Sequence, residues 1–288
     1  MKPRRVVVSG SASEVVLASV KSALELGIAT PILVGNVDLT RAIADEIDLP
    51  LEGMELVPAV DENECASIAV ALTRAGDADV LMKGSIHTDQ LLREVVNRDT
   101  GLRTGRRLSH IFHMSMPGTD RVLFITDAAV NVAPTADTMI HIVNNAVDLA
   151  RSLGIEVPKV AILSATESPI QSMPSSILAE EVAHRAQKGE VANALVAGPL
   201  ALDLAISEEA AQLKGVIDPV AGLADILAVP NIETGNALFK MMVWMMGATA
   251  AGIVMGARVP IVLTSRADPP EARLAAMMIA ALVTDGSQ

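Results

Sequence analysis

The sequence predicts an α/β protein with largely parallel sheets and covering helices. Hydrophobic residues make up 51% of the 288 residues against 19% charged, which supplies a large core and argues against disorder. Short apolar runs recur without polar alternation, as in strands buried on both faces. A chain of this length reaches the size at which one core stops growing, so we expect two domains.

Strand and helix alternate from the beginning of the chain. A strand, a helix and a strand are predicted over residues 6–9, 13–26 and 30–35. Ser11 and Glu14 fit a capping box for this helix, and Gly27 is a natural stop. Further strands are predicted over residues 80–82, 121–125, 157–163, 194–196, 225–229 and 260–263. Amphipathic stretches lie between them, as expected when helices cover a parallel sheet.

The stretch 241–257 carries no charge and is close to the lower length limit of about 17 residues for a membrane span. It contains Gly247, Gly252 and Gly256, however, which favour turns over a continuous apolar helix. We interpret it as the end of a helix, a turn and a strand over 252–255, and we expect no membrane partner.

Composition restricts the partners further. Aromatic residues make up only 1% of the chain and the formal net charge is -12, so stacking on bases and binding to a phosphate backbone are both disfavoured. We therefore expect no nucleic-acid partner. Because a negative field also repels anionic substrates, a site for them has to gather its own cations.

Cys65 is the single cysteine, which excludes an internal disulfide framework and a Cys-rich metal site. His110 and His113 have no third ligand cluster with them, so we expect no metal. The apolar run at 6–10 is too short for a signal peptide. A reducing, cytoplasmic location is expected.

Four polar clusters directly follow predicted strands. After 260–263 come a hydroxyl, a fixed cation and a carboxylate, in Ser265, Arg266 and Asp268. The other three clusters are Thr126-Asp127 to Asn131 with Pro134 and Thr135, Ala197-Gly198-Pro199-Leu200 with Asp203, and Pro230 to Asn236 with Lys240.

In this order and at these separations, the clusters resemble the phosphate acetyltransferase and phosphate butyryltransferase family, which moves an acyl group between acyl phosphate and coenzyme A. The resemblance covers nearly the whole chain, and Ser265 to Asp268 are more similar to the butyryltransferase branch. It implies two α/β domains around a central cleft, as in the isocitrate and isopropylmalate dehydrogenase architecture. We place the boundaries near Ala133 and Gly256, giving domains 1–133 plus 256–288 and 134–255.

The resemblance also suggests catalytic residues. A guanidinium binds phosphate oxygens as a bidentate fork, so Arg266 would hold the phosphate while Ser265 orients the thiol. A thiol titrates near 8.5, so a base or a positive field has to raise the thiolate fraction. The family leads us to expect an aspartate seven positions after the serine, but Ala272 stands there, which leaves Asp268 as the candidate base. Alternatively, Asp268 caps the helix that follows, and Arg266 is an exposed cation.

Substrate-binding candidates come from the other clusters. The segment 82–93 follows a strand and opens a helix, whose N–H groups can bind an anion. The resemblance suggests that Arg93 binds phosphate and that His87 faces the cleft. Alternatively, Arg93 is an exposed helix cation and His87 is a partly buried histidine bonded to backbone.

Asn131 and Thr135 are suited to binding a phosphate or the pantetheine arm; the alternative is that they only cap a helix. Asn236 at a predicted helix start and Lys240 one turn later form another candidate pair. In the family an aspartate is usual where this chain has Ala197, which leaves Asp203 as the retained carboxylate.

These observations predict a cytoplasmic acyltransferase. Acyl-CoA and phosphate would exchange with acyl phosphate and coenzyme A by direct thiol attack in a ternary complex, with no metal, no permanently bound cofactor, and coenzyme A as a substrate. The alternatives are a non-catalytic coenzyme A or acyl phosphate binding protein of the same fold, an acyltransferase of lipid synthesis, and a dehydrogenase of similar architecture. Apolar helices around 241–246 and 274–283 predict a homodimer or larger homo-oligomer, or else lie in the monomer core.

Overall fold

The computed structural model describes residues 2–264 and 268–285. They form an α/β structure with covering helices, which confirms the predicted fold class. The chain divides into two compact units, Met1–Arg106 with Ala251–Gln288, and Arg107–Ala250.

The first unit contains six strands within the described residues. Numbered along the chain, they are β1 (Arg4–Ser9), β2 (Ala29–Gly35), β3 (Glu55–Pro58), β4 (Val80–Lys83), β10 (Thr249–Met255), which starts just before the unit boundary, and β11 (Ile261–Val262). The helices are α1 (Glu14–Glu25), α2 (Val37–Glu46), α3 (Glu62–Ala75), α4 (Thr88–Val95) and α10 (Pro270–Asp285).

The strand order in this unit is β3-β2-β1-β4-β11-β10. The first five strands run parallel, and β10 is antiparallel to β11. Ser9 is in register with Lys83, and Met82 with Val262. The carboxyl ends of β1, β4 and β11 therefore lie side by side at one edge, where α/β proteins bind ligands.

The turns after β1 and β4 pack backbone against backbone. The Gly84 N–H donates to the Ser9 carbonyl at 2.9 Å, and the Ser85 N–H donates to the Gly10 carbonyl at 2.7 Å. A Cβ atom at Gly84 would overlap the Gly10 carbonyl oxygen and lie 2.8 Å from that of Ser9. Glycine at 84 is therefore required for this edge to close.

The second unit also contains a mostly parallel sheet. Its strands are β5 (Ser109–Ser115), β6 (Val122–Thr126), β7 (Lys159–Leu163), β8 (Leu195–Leu200) and β9 (Ile226–Ala228). Its helices are α5 (Ala136–Ser152), α6 (Pro174–Arg185), α7 (Leu202–Ile206), α8 (Glu208–Leu213) and α9 (Ile232–Met246), and a π-helical turn, Ala186–Glu190, extends α6. The strand order is β5-β6-β9-β7-β8, with β5 antiparallel and the others parallel.

Most predicted strands are confirmed, but two were missed. β3 is a short edge strand that is only half-buried, and β5 carries serine and histidine between its apolar residues. The capping box at the start of α1 is wrong. Ser13 is the N-cap, and the Ser11 hydroxyl instead hydrogen-bonds Thr40 Oγ1 at 3.0 Å.

The compact units differ from the predicted domain boundaries near Ala133 and Gly256. Residues 107–133 belong to the second unit because β6 pairs with β9 in parallel, while β10 pairs with β11 in the first unit. The division into domains 1–133 plus 256–288 and 134–255 stays a prediction. Within the described residues, no helix combines the length and apolarity that crossing a membrane requires.

Candidate active site

Ser265 and Arg266, the predicted catalytic pair, lie outside the described residues. They follow Thr264, which is buried at the carboxyl end of β11 and has a hydroxyl with no hydrogen-bond partner within the described parts of the chain. Asp268 resumes the described chain two residues before α10 and is half-buried.

Asp268 lies beside a buried arginine. Its backbone carbonyl accepts a hydrogen bond from Arg273 Nη1 at 2.9 Å. Burial lowers the pKa of Arg273, and the negative charge of Asp268 opposes that shift. Asp268 therefore lies within the field of a buried guanidinium. A base role for Asp268 stays a prediction.

His87 is the N-cap residue of α4 and has an ordered acidic partner. Its backbone N–H donates to Glu62 Oε2 at 2.9 Å, and its ring Nδ1 lies 2.7 Å from the same oxygen. The ring is held by a carboxylate rather than by backbone, and the side chain is 60% exposed. A second ring nitrogen, Nε2, is thus available on an oriented imidazole.

Arg93 occupies the last turn of α4. Its guanidinium is 66% exposed and lies 3.6 Å from Asp89 Oδ2, one helical turn earlier. This is the weak surface pair that exposed helix charges usually form. Phosphate binding by Arg93 stays a prediction.

Lys83 was not selected from the sequence, yet it ends β4 with its side chain buried. The residue is 5% exposed, and its ammonium donates to the carbonyls of Ile86 at 3.0 Å and Gly84 at 3.3 Å. A lysine at the end of an apolar strand was the available signal, since buried lysines are rare. Its bonds tie the end of β4 to the turn that leads into His87.

A small cavity adjoins this turn. It measures about 160 Å³ and is lined by residues that include Gly10, Glu62, Cys65 and Ser85. Burial raises the pKa of the Cys65 thiol, nearby carboxylates raise it further, and a hydrogen bond from the Gly10 backbone acts in the opposite direction. Cys65 is therefore a poor nucleophile.

In the second unit, Asn131 is fixed by a buried carboxylate. Asp127 is 2% exposed, and its Oδ2 accepts from Asn131 Nδ2 at 2.7 Å. Asn131 Nδ2 also donates to the Leu108 carbonyl at 2.8 Å. Both amide hydrogens of Asn131 are thus used, so the polar atom that it can offer a ligand is the acceptor Oδ1.

Thr135 caps α5. Its hydroxyl accepts from the Thr138 N–H at 3.4 Å and donates to Thr138 Oγ1 at 3.3 Å. The capping interpretation therefore accounts for the geometry of Thr135, and a substrate role stays a prediction.

Asn236 is not at a helix start, which corrects the sequence interpretation. The N-cap of α9 is Asn231, whose side chain accepts from the Thr234 N–H at 2.9 Å. Asn236 lies in the second turn and is half-buried, with Lys240 exposed one turn later. Gly235 allows α9 to approach the loop after β6, because a Cβ atom there would lie 2.9 Å from the Asp127 carbonyl.

The cluster from Ala197 to Asp203 offers fewer polar groups to a substrate. Ala197 is buried in β8, and Asp203 lies 3.4 Å from Lys214 with about half of its side chain exposed. Asp203 is therefore accounted for as a surface ion pair.

The predicted residues are divided between the two units. His87, Arg93 and Asp268 belong to the first, and Asn131, Thr135, Asn236 and Lys240 belong to the second. Within each unit, they follow or flank the carboxyl ends of parallel strands.

Comparison with known proteins identifies the family. The family described as "Phosphate acetyl/butaryl transferase" matches residues 62–281. The chain is 46% identical over 280 residues to a phosphate acetyltransferase of Rhizobium meliloti, covering 97% of this chain and 89% of that protein. It is 42% identical over 280 residues to a phosphate butyryltransferase of Clostridium acetobutylicum, covering 97% and 93%.

Comparison with solved structures gives the same family. A branched-chain phosphotransacylase from Enterococcus faecalis V583 has a TM-score of 0.85 and 36% identity, with 98% of this chain and 99% of that chain covered. A 4-hydroxythreonine-4-phosphate dehydrogenase from Burkholderia phymatum, at 12% identity, has a TM-score of 0.56, with 98% of this chain and 98% of that chain covered. This shows likeness of fold alone and agrees with the predicted dehydrogenase-like architecture. The polar clusters, the α/β fold and these full-length similarities agree: the chain belongs to the phosphate acetyl/butyryl transferase family.

Proposed function

We propose that this acyltransferase moves a short acyl group, acetyl or butyryl, reversibly between coenzyme A and inorganic phosphate by direct attack of the thiol. One structural observation carries the assignment of a site. Strand β11, which leads to Ser265 and Arg266, lies parallel to β4, which leads to His87 and the start of α4. The carboxyl ends of β4 and β11 thus lie side by side at one edge of the sheet.

The proposed reaction requires a deprotonated thiol, attack on the acyl carbon and departure of phosphate. In the direction of acyl-CoA formation, the thiol loses its proton and its sulfur attacks the carbonyl carbon of the acyl phosphate. The C–O bond to phosphate then breaks, and phosphate leaves with the electron pair. Arg266 and Arg93 would bind the phosphate oxygens, and Ser265 would orient the thiol. The step needs neither a metal nor a bound cofactor, because phosphate is already a good leaving group.

The residues of the second unit suit the body of coenzyme A. Asn131 offers an acceptor oxygen, which fits an amide N–H of the pantetheine arm better than a phosphate oxygen. Lys240 provides a cation for a phosphate group, with Asn236 beside it and Thr135 at the start of α5.

Acyl-chain length is the finer question. The acetyltransferase and butyryltransferase relatives are 46% and 42% identical to this chain, a difference too small to separate the two substrates. Thiol consumption with coenzyme A and either acetyl phosphate or butyryl phosphate tests both the reaction and the chain length. Saturable coenzyme A binding without turnover of either acyl phosphate would instead favour the non-catalytic binding protein, to which the departures at Ala197 and Ala272 also point.

We further propose a cytoplasmic location and a homodimer or larger homo-oligomer. The single, buried Cys65 suits a reducing compartment. The end of α9 carries exposed Met and Trp side chains, as expected of a helix that packs on a partner.

A further inference from the structure

We infer that His87, oriented by Glu62, is the general base that removes the proton from the coenzyme A thiol. This inference rests on the proposed function and assigns a step that Asp268 was expected to perform. The aspartate that the family resemblance leads us to expect for this step is replaced by Ala272.

The geometry is that of an oriented imidazole. Glu62 is the first residue of α3, and its Oε2 lies 2.7 Å from His87 Nδ1 while accepting the His87 backbone N–H at 2.9 Å. A carboxylate at Nδ1 selects the tautomer in which that nitrogen carries the proton. Nε2 then keeps a lone pair, and the exposed side chain can present it to a substrate.

The location fits a thiol substrate. His87 follows the turn at Gly84 to Ile86, which Lys83 holds from the end of β4. Glu62 also lines the cavity at the carboxyl ends of the strands. The imidazole therefore follows the carboxyl end of β4, which lies beside the carboxyl end of β11.

Proton affinities favour imidazole over carboxylate for this task. A thiol titrates near 8.5, imidazole near 6.5 and a carboxyl near 4. Proton transfer from a thiol to a carboxylate is uphill by more than four pK units, so its equilibrium constant is on the order of 10⁻⁴ or lower. Transfer from a thiol to imidazole is uphill by only about two pK units. The Asp268 backbone carbonyl is also engaged, since it accepts a hydrogen bond from Arg273 Nη1 at 2.9 Å.

The proposed step transfers one proton to His87 and one acyl group to sulfur. The thiol proton moves to Nε2, and the sulfur electron pair forms the C–S bond to the acyl carbon. The carbonyl electrons move to oxygen and then return as the C–O bond breaks and phosphate departs. The imidazolium afterwards releases its proton to the phosphate or to water.

The pH dependence of this step involves the charged groups on every element around His87. At the N-cap and in the first turn of α3 these are Asp61, Glu62 and Glu64; on α4 they are Asp89, Arg93 and Glu94; at the end of β4 there is Lys83. Of these, Glu62 contacts the ring. Replacing it with glutamine removes one negative charge and changes little volume.

The test is the pH profile of kcat/KM for coenzyme A in the full chain, with butyryl phosphate or acetyl phosphate as the acyl donor. For His87→Gln we expect a loss of about 10²- to 10⁴-fold near pH 7. The loss should shrink as the pH rises past about 8.5, because the thiolate then forms without a base. Glu62→Gln should lose less, because it removes the carboxylate that orients the ring and leaves the imidazole itself in place.

Two controls are matched to these variants. Glu64→Gln changes a carboxylate in the same turn of α3 that accepts the Val60 N–H rather than contacting His87, and His184→Gln changes an exposed histidine on α6. Both should keep the parental profile. A His87→Gln loss that stays constant from pH 6 to 9, or is under about threefold, would overturn the base assignment in an otherwise active enzyme. No turnover by the parental chain with either acyl phosphate would instead overturn the proposed function, and this inference with it.

Discussion

The Asn131 amide donates to the Asp127 carboxylate at 2.7 Å, and the same carboxylate organises the loop that follows β6. Its Oδ1 accepts the N–H groups of Ala129 at 2.9 Å and Val130 at 3.0 Å, and Oδ2 also accepts that of Asn131 at 3.2 Å. A buried carboxylate with four donors holds a predicted substrate residue in one orientation.

Replacing Asp127 with asparagine should destabilise the protein by about 3 kcal/mol, because charge-assisted hydrogen bonds are lost and buried donors are left unpaired. Urea unfolding monitored by circular dichroism measures the change. Asp120→Asn, at an exposed position, is the control and should stay within about 0.5 kcal/mol of the parent. An Asp127→Asn midpoint equal to that of the control would contradict this account of the loop.

Gly84→Ala tests the backbone contact between the turns after β1 and β4. An added Cβ would meet the Gly10 and Ser9 carbonyl oxygens, which cannot move without distorting the parallel pairing. We expect a loss of about 3 kcal/mol in unfolding free energy, at the upper end of overpacking effects. Gly105→Ala is the matched control, since nothing lies within 4 Å of the position of its Cβ. Equal thermal midpoints for the two variants would show that the edge tolerates expansion.

The sequence predicted the strands that are uniformly apolar and missed those that are not. Val6 to Val8 in β1 are buried, as an uninterrupted run requires, whereas β3 is a partly exposed edge strand. β5 mixes Ser, His and apolar residues, and periodicity alone does not identify such a strand.

Site residues were harder to predict because partners distant in sequence determine their roles. The pairing of His87 with Glu62 spans 25 positions, and the bond from Asn131 to Leu108 spans 23. Sequence order placed Asn236 at a helix start, but Asn231 provides the cap five residues earlier. Local patterns thus identified the clusters, and tertiary contacts determined which atoms remain available to a ligand.

Arg266→Gln should lower turnover by about a hundredfold or more. A guanidinium on a phosphate oxygen is a charge-stabilising donor, and loss of one such donor typically costs a few kcal/mol in the transition state. The measurement is kcat with acetyl phosphate or butyryl phosphate and coenzyme A. Arg74→Gln, an exposed arginine on α3, provides a charge-matched control. Turnover near that of the control in a folded Arg266→Gln variant would remove Arg266 from the site.

The pair Arg185 and Glu190 predicts an acid-dependent loss of stability. Arg185 Nε and Nη2 lie 3.0 and 2.6 Å from the two Glu190 carboxylate oxygens, and this bidentate contact holds the pKa of Glu190 below its ordinary value. A lowered carboxyl pKa contributes stability above the unfolded-state pKa and loses it as the pH falls through the folded-state value. Between about pH 5 and 3, Arg185→Met should therefore flatten part of the decline in thermal midpoint. Arg151→Met, on the exposed face of α5, should keep the parental slope; parallel slopes for both variants would contradict the pairing.

The exposed end of α9 predicts self-association. Trp244 and Met245 are 77% and 82% exposed, which is unusual for large apolar side chains, whereas half of the residues of α10 are buried and this helix packs against α1. If a second copy covers this surface, the parent should scatter light with a mass of about twice 30.0 kDa or more, and Trp244→Glu should shift the mass toward 30.0 kDa by placing a charge in the interface. Leu213→Glu is the matched control, because Leu213 is equally exposed on α8 and should leave the parental mass unchanged. A parental mass near 30.0 kDa at the concentrations used for activity would show instead that the α9 surface faces solvent.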